Sequence, residues 1–167
     1  MRPICSDVSN LRIEKRRTEA ALTLTTGAVV RGCFFLASSS ATHAPERVAD
    51  LLNAETGFFP FELTAESRPY TVLYNRSQLV LVTLLDDDTI EAQLDPGYSV
   101  AIARQIRVRL STGGTVEGQV RVYRPSGSDR LSDYARAHEV FRYIETADAT
   151  VIVNVAHIVE LRETTEA

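Results

Sequence analysis

Between residues 106 and 122 apolar and polar positions alternate. Ile106, Val108 and Leu110 face one way, Arg107, Arg109 and Ser111 the other, the period of a half-buried β-strand. Thr112-Gly113-Gly114 follows and predicts a tight turn, because glycine accepts a positive φ at little cost. Val116, Gly118, Val120 and Val122 then oppose Glu117, Gln119 and Arg121 in a second strand. The glycine inside that strand predicts a sharp bend or close packing.

The same design occurs earlier. Residues 22–32 (LTLTTGAVVRG) align with 108–118 (VRLSTGGTVEG) at an offset of 86, placing Gly27 on Gly113 and Gly32 on Gly118. Residues 46–62 align with 129–145 at an offset of 83, placing Arg47 on Arg130, Asp50 on Asp133, Phe58 on Phe141 and Glu62 on Glu145. Residues 71–80 align with 150–159 at 79, placing Asn75 on Asn154. Three blocks in one order, differing in length only between them, read as a duplicated module.

Each copy is expected to be mainly β with a short helix after its second strand. Val48, Leu51 and Leu52, like Leu131, Tyr134 and Ala135, fall at i, i+3, i+4 and form one apolar face. Pro45 suits a first helical turn, and Ser128 or Asp129 suits a cap for the second helix. Further strands are expected near 57–64 and 70–82, and near 139–146 and 150–162. Asn75 and Asn154 stand where the last two strands turn, a place that favours a residue tolerant of left-handed geometry. The expected organisation is an arm or helix over 1–19, repeat 1 over 20–82, an acidic linker over 83–105, repeat 2 over 106–162 and a tail over 163–167. Within the arm, residues 8–17 are expected to form a short helix. The linker carries Asp86, Asp87, Asp88, Glu91 and Asp95 and an Asp-Pro-Gly turn at 95–97, with room for one added strand at 89–94 or 98–104.

Composition narrows the class. The 167 residues are 44% hydrophobic and 24% charged, with a net charge of −4, ordinary values for a globular protein. No apolar run approaches the roughly 20 residues of a membrane span, and residues 1–20 lack the apolar core of a secretory signal. Cys5 and Cys33 are too few for a disulfide framework or a four-ligand zinc site. The expectation is a cytoplasmic protein with no membrane partner. Its basic residues are 17 Arg and one Lys, a bias that suits phosphate or carboxylate recognition and also accompanies a codon preference.

The run Val108-Arg109-Leu110-x-x-Gly113-x-x-Val116-x-Gly118, with Val151-Ile152-Val153-Asn154-x-x-x-Ile158-Val159, resembles the Sm-like (Lsm) fold, as do Leu22 to Gly32 and Val72 to Val80. The resemblance covers 20–82 and 106–161. It implies two tandem small bent five-stranded β-barrels, and with them ring assembly and RNA binding. The family places Asp and Asn in the loop after the second strand and Arg-Gly in the turn between the last two strands. Here the helix replaces the first, and the second reads Asn75-Arg76 and Asn154-Val155, so no RNA-binding residue carries over.

The candidate sites follow. Arg107, Arg109, Arg121 and Arg124 form a basic patch suited to an acidic partner or RNA, or to pairing with the 86–95 acids. Only Tyr123 lies nearby for base stacking. Val29, Cys33 and Phe35 make the outward face of repeat 1 apolar, an expected interface. Arg47, Asp50, Asn75, Arg130, Asp133 and Asn154 recur in both copies and read as structural, the Arg–Asp pairs as local helix pairs. His43, His138 and His157 have no metal-binding spacing, and neither a phosphate loop nor a nucleophile elbow is present. No catalytic, cofactor or metal residue is expected. The expected function is a non-catalytic assembly module that self-associates or binds a macromolecular partner. RNA binding through the arginine face is the alternative, and an enzyme with a site between the barrels comes third.

Overall fold

The computed structural model describes residues 15–64, 67–85, 97–122 and 130–165. Among these the chain is mainly β: β1 (Lys15–Leu24), β2 (Val29–Ala37), α1 (Val48–Ala54), β3 (Phe58–Leu63), β4 (Tyr70–Asn75), β5 (Leu79–Leu84), β6 (Ile102–Leu110), β7 (Thr115–Val122), α2 (Leu131–Ala135), β8 (Phe141–Glu145), β9 (Thr150–Asn154) and β10 (Ile158–Glu163). All ten strands form one open antiparallel sheet in the order β10-β6-β7-β8-β9-β5-β1-β2-β3-β4. Two separately closed barrels are therefore not what forms. Each half has the same internal strand order, and β5 pairs with β9 to make the sheet continuous.

The local reasons for this architecture recur in both halves. Gly27 and Gly113 turn the first hairpins at φ 82° and 88°, the left-handed region that disfavours a side chain. Gly32 and Gly118 sit where the second strand crosses the third. A Cβ on either would lie 2.9 Å from the carbonyl carbon of Glu62 or Glu145, with the oxygen nearer still. Close packing is thus the reason for these glycines.

Asn75 and Asn154 cap the 3-10 turns at 76–78 and 155–157 in extended, not left-handed, geometry. Their Oδ1 atoms accept from the Ser77 and Ala156 N–H groups, each at 3.0 Å. Asn is needed here for its side-chain acceptor, as in an Asx turn, and tolerance of positive φ plays no part.

Other expectations shift in detail. Lys15, Arg16 and Arg17 belong to β1 and pair with Ala37, Leu36 and Phe35, so the expected helix does not extend over them. Residues 1–14, including the rest of that helix and Cys5, lie outside the described residues, as do 86–96 with their acids, Arg124, Ser128 and Asp129. Strand structure enters both ends of the expected linker, at Thr83–Leu84 and Ile102–Gln105. The helices begin at Val48 and Leu131, capped by Asp50 and Asp133, whose Oδ2 atoms accept from the Arg47 and Arg130 N–H groups at 3.0 and 3.1 Å. No helix among the described residues is long and apolar enough to cross a membrane.

Each half has a core that borrows from the other. Phe34, Leu52, Phe59 and Phe61 of the first half are fully or almost fully buried together with Phe141 and Ile152 of the second. Val80 of the first half is buried among Ile106, Val120 and Ile144 of the second. Tyr134 is buried against α2's surroundings, and among the described residues its hydroxyl has no well-formed hydrogen bond. Burial pushes its phenol up to about 12, with the Arg142 charge offsetting part of the effect. Ionisation is thus harder in the folded than in the unfolded chain, and stability falls as pH rises from about 10 towards 12. Tyr134→Phe is expected to change stability at pH 7 by under about 1 kcal/mol, because the buried hydroxyl it removes has only the Arg142 guanidinium beside it. Urea titration at pH 7 and pH 11 checks both statements.

Candidate interaction edges

The junction between the halves shows how this sheet takes an added strand. Leu81, Val82 and Thr83 of β5 pair with Val153, Ile152 and Val151 of β9. Three polar side chains lock the pairing. Asn154, almost fully buried, donates from Nδ2 to the Leu79 carbonyl at 2.9 Å and the Arg76 carbonyl at 3.4 Å. His157 Nε2 lies 2.8 Å from the Ser77 carbonyl, and since a carbonyl only accepts, that nitrogen carries a proton. Asn53, on α1, grips the start of β8 (Asn53 Nδ2 to the Phe141 carbonyl, 2.9 Å), and its Oδ1 accepts from the Val140 and Phe141 N–H groups at 3.1 and 2.9 Å. One amide thus satisfies three backbone groups, which uses both its donor and its acceptor.

Among the described residues, the two ends of the sheet, at β4 with the start of β3 and at β10, carry the same positions without a covering. Phe141 is 4% exposed at the junction, whereas the aligned Phe58 is 61% exposed. Ile152 is 0% exposed and the aligned Leu73 63%; Val80 is 0% exposed and the aligned Val159 64%. An open strand with apolar side chains beside it is a template for further strand pairing.

Two buried arginines complete the framework. Arg76, from the turn after β4, donates to the carbonyls of Leu51, Leu52 and Thr56 at 3.1, 3.1 and 3.4 Å and to that of Phe58. Arg142, on β8, donates to the carbonyls of Tyr134, Ala137 and Glu139. Each guanidinium thus satisfies the end of the short helix in its half.

The basic patch is matched by acids from neighbouring strands. Arg107 pairs with Glu117, Arg109 with Glu160, and Arg121 with Glu145 at 3.2 Å while lying 4.2 Å over the Tyr98 ring. Arg104 pairs with Glu163 at 3.4 Å. Arg107 and Arg109 are exposed enough for each pair to contribute under about 1 kcal/mol. The three expected interface residues separate. Val29 is exposed, Cys33 is buried, and Phe35 is half-buried beneath the Arg17 guanidinium, 5.7 Å from its ring centre. That guanidinium also lies 3.8 Å from Cys33 Sγ and pairs with Glu62.

Arg47 pairs with Asp50 at 2.8 Å and faces the Tyr143 ring across the junction. Burial works against ionisation of Asp50, but the Arg47 hydrogen bonds and charge hold its carboxyl below the ordinary range. A groove of about 450 Å³ opens there between α1, β8 and α2, with Asp50, Asn53, Asp133, Tyr134, Arg142 and Tyr143 among its walls. Its charges are of both signs and largely paired within the wall. Among the described residues no three His, Cys, Asp or Glu side chains come together as a metal site would require. Comparison of the chain with protein families, with characterised proteins and with solved structures finds no match.

Proposed function

We propose that the protein is a duplicated Sm-like assembly module, two bent five-stranded units in tandem, that acts without catalysis by joining copies of itself through its open sheet edges. Support for the duplication comes from the identical strand order of the halves and the shared close-approach glycines. One observation carries the assembly reading. Phe141, Ile152 and Val80 are buried where one unit meets the other, and their aligned partners Phe58, Leu73 and Val159 stand exposed at the outer edges. Burying those three would contribute about 1.5–3 kcal/mol each before the cost of association. Assembly is therefore expected to depend on concentration.

Sedimentation velocity tests this reading. The unaltered protein should sediment at micromolar concentration as discrete species larger than its 18.5 kDa chain. Leu73→Lys, a change on an exposed side chain, should shift it to monomer with its thermal midpoint preserved. A monomer at every concentration, or an assembly indifferent to Leu73→Lys, would count against the reading.

A further inference from the structure

Each half ties its first hairpin turn to its 3-10 turn by two hydrogen bonds. In the first half the Thr25 N–H donates to the Gln78 carbonyl at 2.9 Å, and Thr25 Oγ1 donates to Gln78 Oε1 at 2.6 Å. In the second half the aligned residues are Ser111 and His157. The Ser111 N–H donates to the His157 carbonyl at 2.8 Å, and Ser111 Oγ lies 3.0 Å from His157 Nδ1. The tie is the same, but its chemistry is not. An amide oxygen holds a hydroxyl proton without removing it, whereas a neutral imidazole nitrogen can take it.

The junction between the halves decides which imidazole nitrogen is free. His157 Nε2 lies 2.8 Å from the Ser77 carbonyl, which only accepts, so the proton sits on Nε2. Nδ1 therefore presents its lone pair, and the Ser111 hydroxyl donates to it. A hydroxyl donating to a base that a third group orients is the arrangement that turns serine into a nucleophile. Ser111 is exposed. In the same turn the N–H groups of Thr112 and Gly114 make no hydrogen bond among the described residues, and unspent backbone donors of this kind stabilise a developing oxyanion.

We propose that Ser111 is a covalent modification site, an acyl acceptor that takes the acyl group of small activated esters with His157 as its general base. Ser111 Oγ forms a bond to the ester's carbonyl carbon as its proton passes to His157 Nδ1. The bond from that carbon to the leaving oxygen then breaks, and the leaving oxygen departs with the electron pair and takes the proton from Nδ1. While the imidazole is charged, both of its N–H groups have acceptors, the oxygen of Ser111 and the Ser77 carbonyl. Ser77 belongs to the first half, so the site is complete only where β5 and β9 join the halves. Ser111 stands on an open turn outside the groove between α1, β8 and α2, so the reactivity of the donor selects it, and its shape does not. The aligned Thr25 has Gln78 in place of a base and stays unmodified.

Treatment with p-nitrophenyl acetate, with acetylated positions timed by peptide mass spectrometry, tests the proposal. In the native protein Ser111 should be acetylated about a hundredfold faster than Ser39 and Ser132, exposed serines without a hydrogen-bonded histidine among the described residues. His157→Gln, the residue found at this place in the first half, should bring Ser111 down to their rate with the thermal midpoint kept. Unfolding the unaltered protein in urea should abolish the difference as well, a comparison that needs no variant. A native Ser111 no faster than Ser39 and Ser132, or a rate that His157→Gln leaves unchanged, would overturn the proposal. Sedimentation judges the assembly reading separately, so the failure of either leaves the other standing.

Discussion

Replacing Gly32 by alanine is expected to leave little folded protein, with a loss of about 3 kcal/mol or more, a large share of the stability of a small domain. The added methyl group would collide with the Glu62 backbone and come within 2.6 Å of the Phe61 ring. Phe61 is fully buried among Phe34, Phe59 and the rest of the first core, so it has no room to retreat. The obstacle on the other side is backbone, which moves only if β2 and β3 separate. Gly118→Ala should behave similarly, because Glu145 stands where Glu62 does and Ile144 lies 3.0 Å away. Gly27→Ala is the informative control. Its Cβ would meet nothing within 4 Å, so only the left-handed backbone opposes it, at about 1–2 kcal/mol. Thermal unfolding of the three variants should rank Gly27→Ala well above the other two. Equal losses at all three would mean that turn geometry, not close approach, sets the requirement.

The second large effect concerns Arg142. Arg142→Phe should cost about 3 kcal/mol, since three carbonyls around the end of α2 lose a charged donor at once. The first half solves the same problem with a different residue. Phe59 aligns with Arg142 and fills the core, while Arg76 aligns with Val155 and supplies the guanidinium from the turn. The turns superpose in their bonding: the Arg76 N–H donates to the Gly57 carbonyl as the Val155 N–H donates to that of Val140. Arg142→Phe combined with Val155→Arg transplants the first arrangement into the second half. The double variant should recover at least about 1 kcal/mol of the single variant's loss in urea titration, a coupling that interacting sites show and independent ones do not. Additive losses would mean that the two halves anchor their helices by unrelated means.

These two residues also show where sequence reading ran out. Alternation and turn glycines located both first hairpins, and the i, i+3, i+4 apolar positions located both short helices, because those features are local. The swap of Arg76 and Arg142 was hidden because alignment pairs each with an apolar residue. Asn53 was equally silent, since its aligned partner is Arg136 and its three hydrogen bonds are made to a strand nearly ninety positions away. The period-two stripe sets Arg107, Arg109 and Arg121 on one face but does not tell which acids outside residues 104–124 meet them. Glu145, Glu160 and Glu163, which pair with arginines of that stretch, arrive from β8 and β10. The β5–β9 pairing leaves no trace in a repeat search, because it joins the last strand of one copy to the fourth of the other. Once it is seen, the aligned pairs Phe58–Phe141, Leu73–Ile152 and Val80–Val159 acquire meaning as covered and uncovered versions of one surface.

Native mass spectrometry of protein purified without nuclease treatment is the most direct trial of self-assembly through these edges. The expected spectrum is an integer multiple of the 18.5 kDa chain with nothing added, shifting towards monomer on dilution. A monomer at all concentrations, or chains carrying extra mass in nucleotide-sized steps, would contradict the account and in the second case place RNA at the centre of the protein's work.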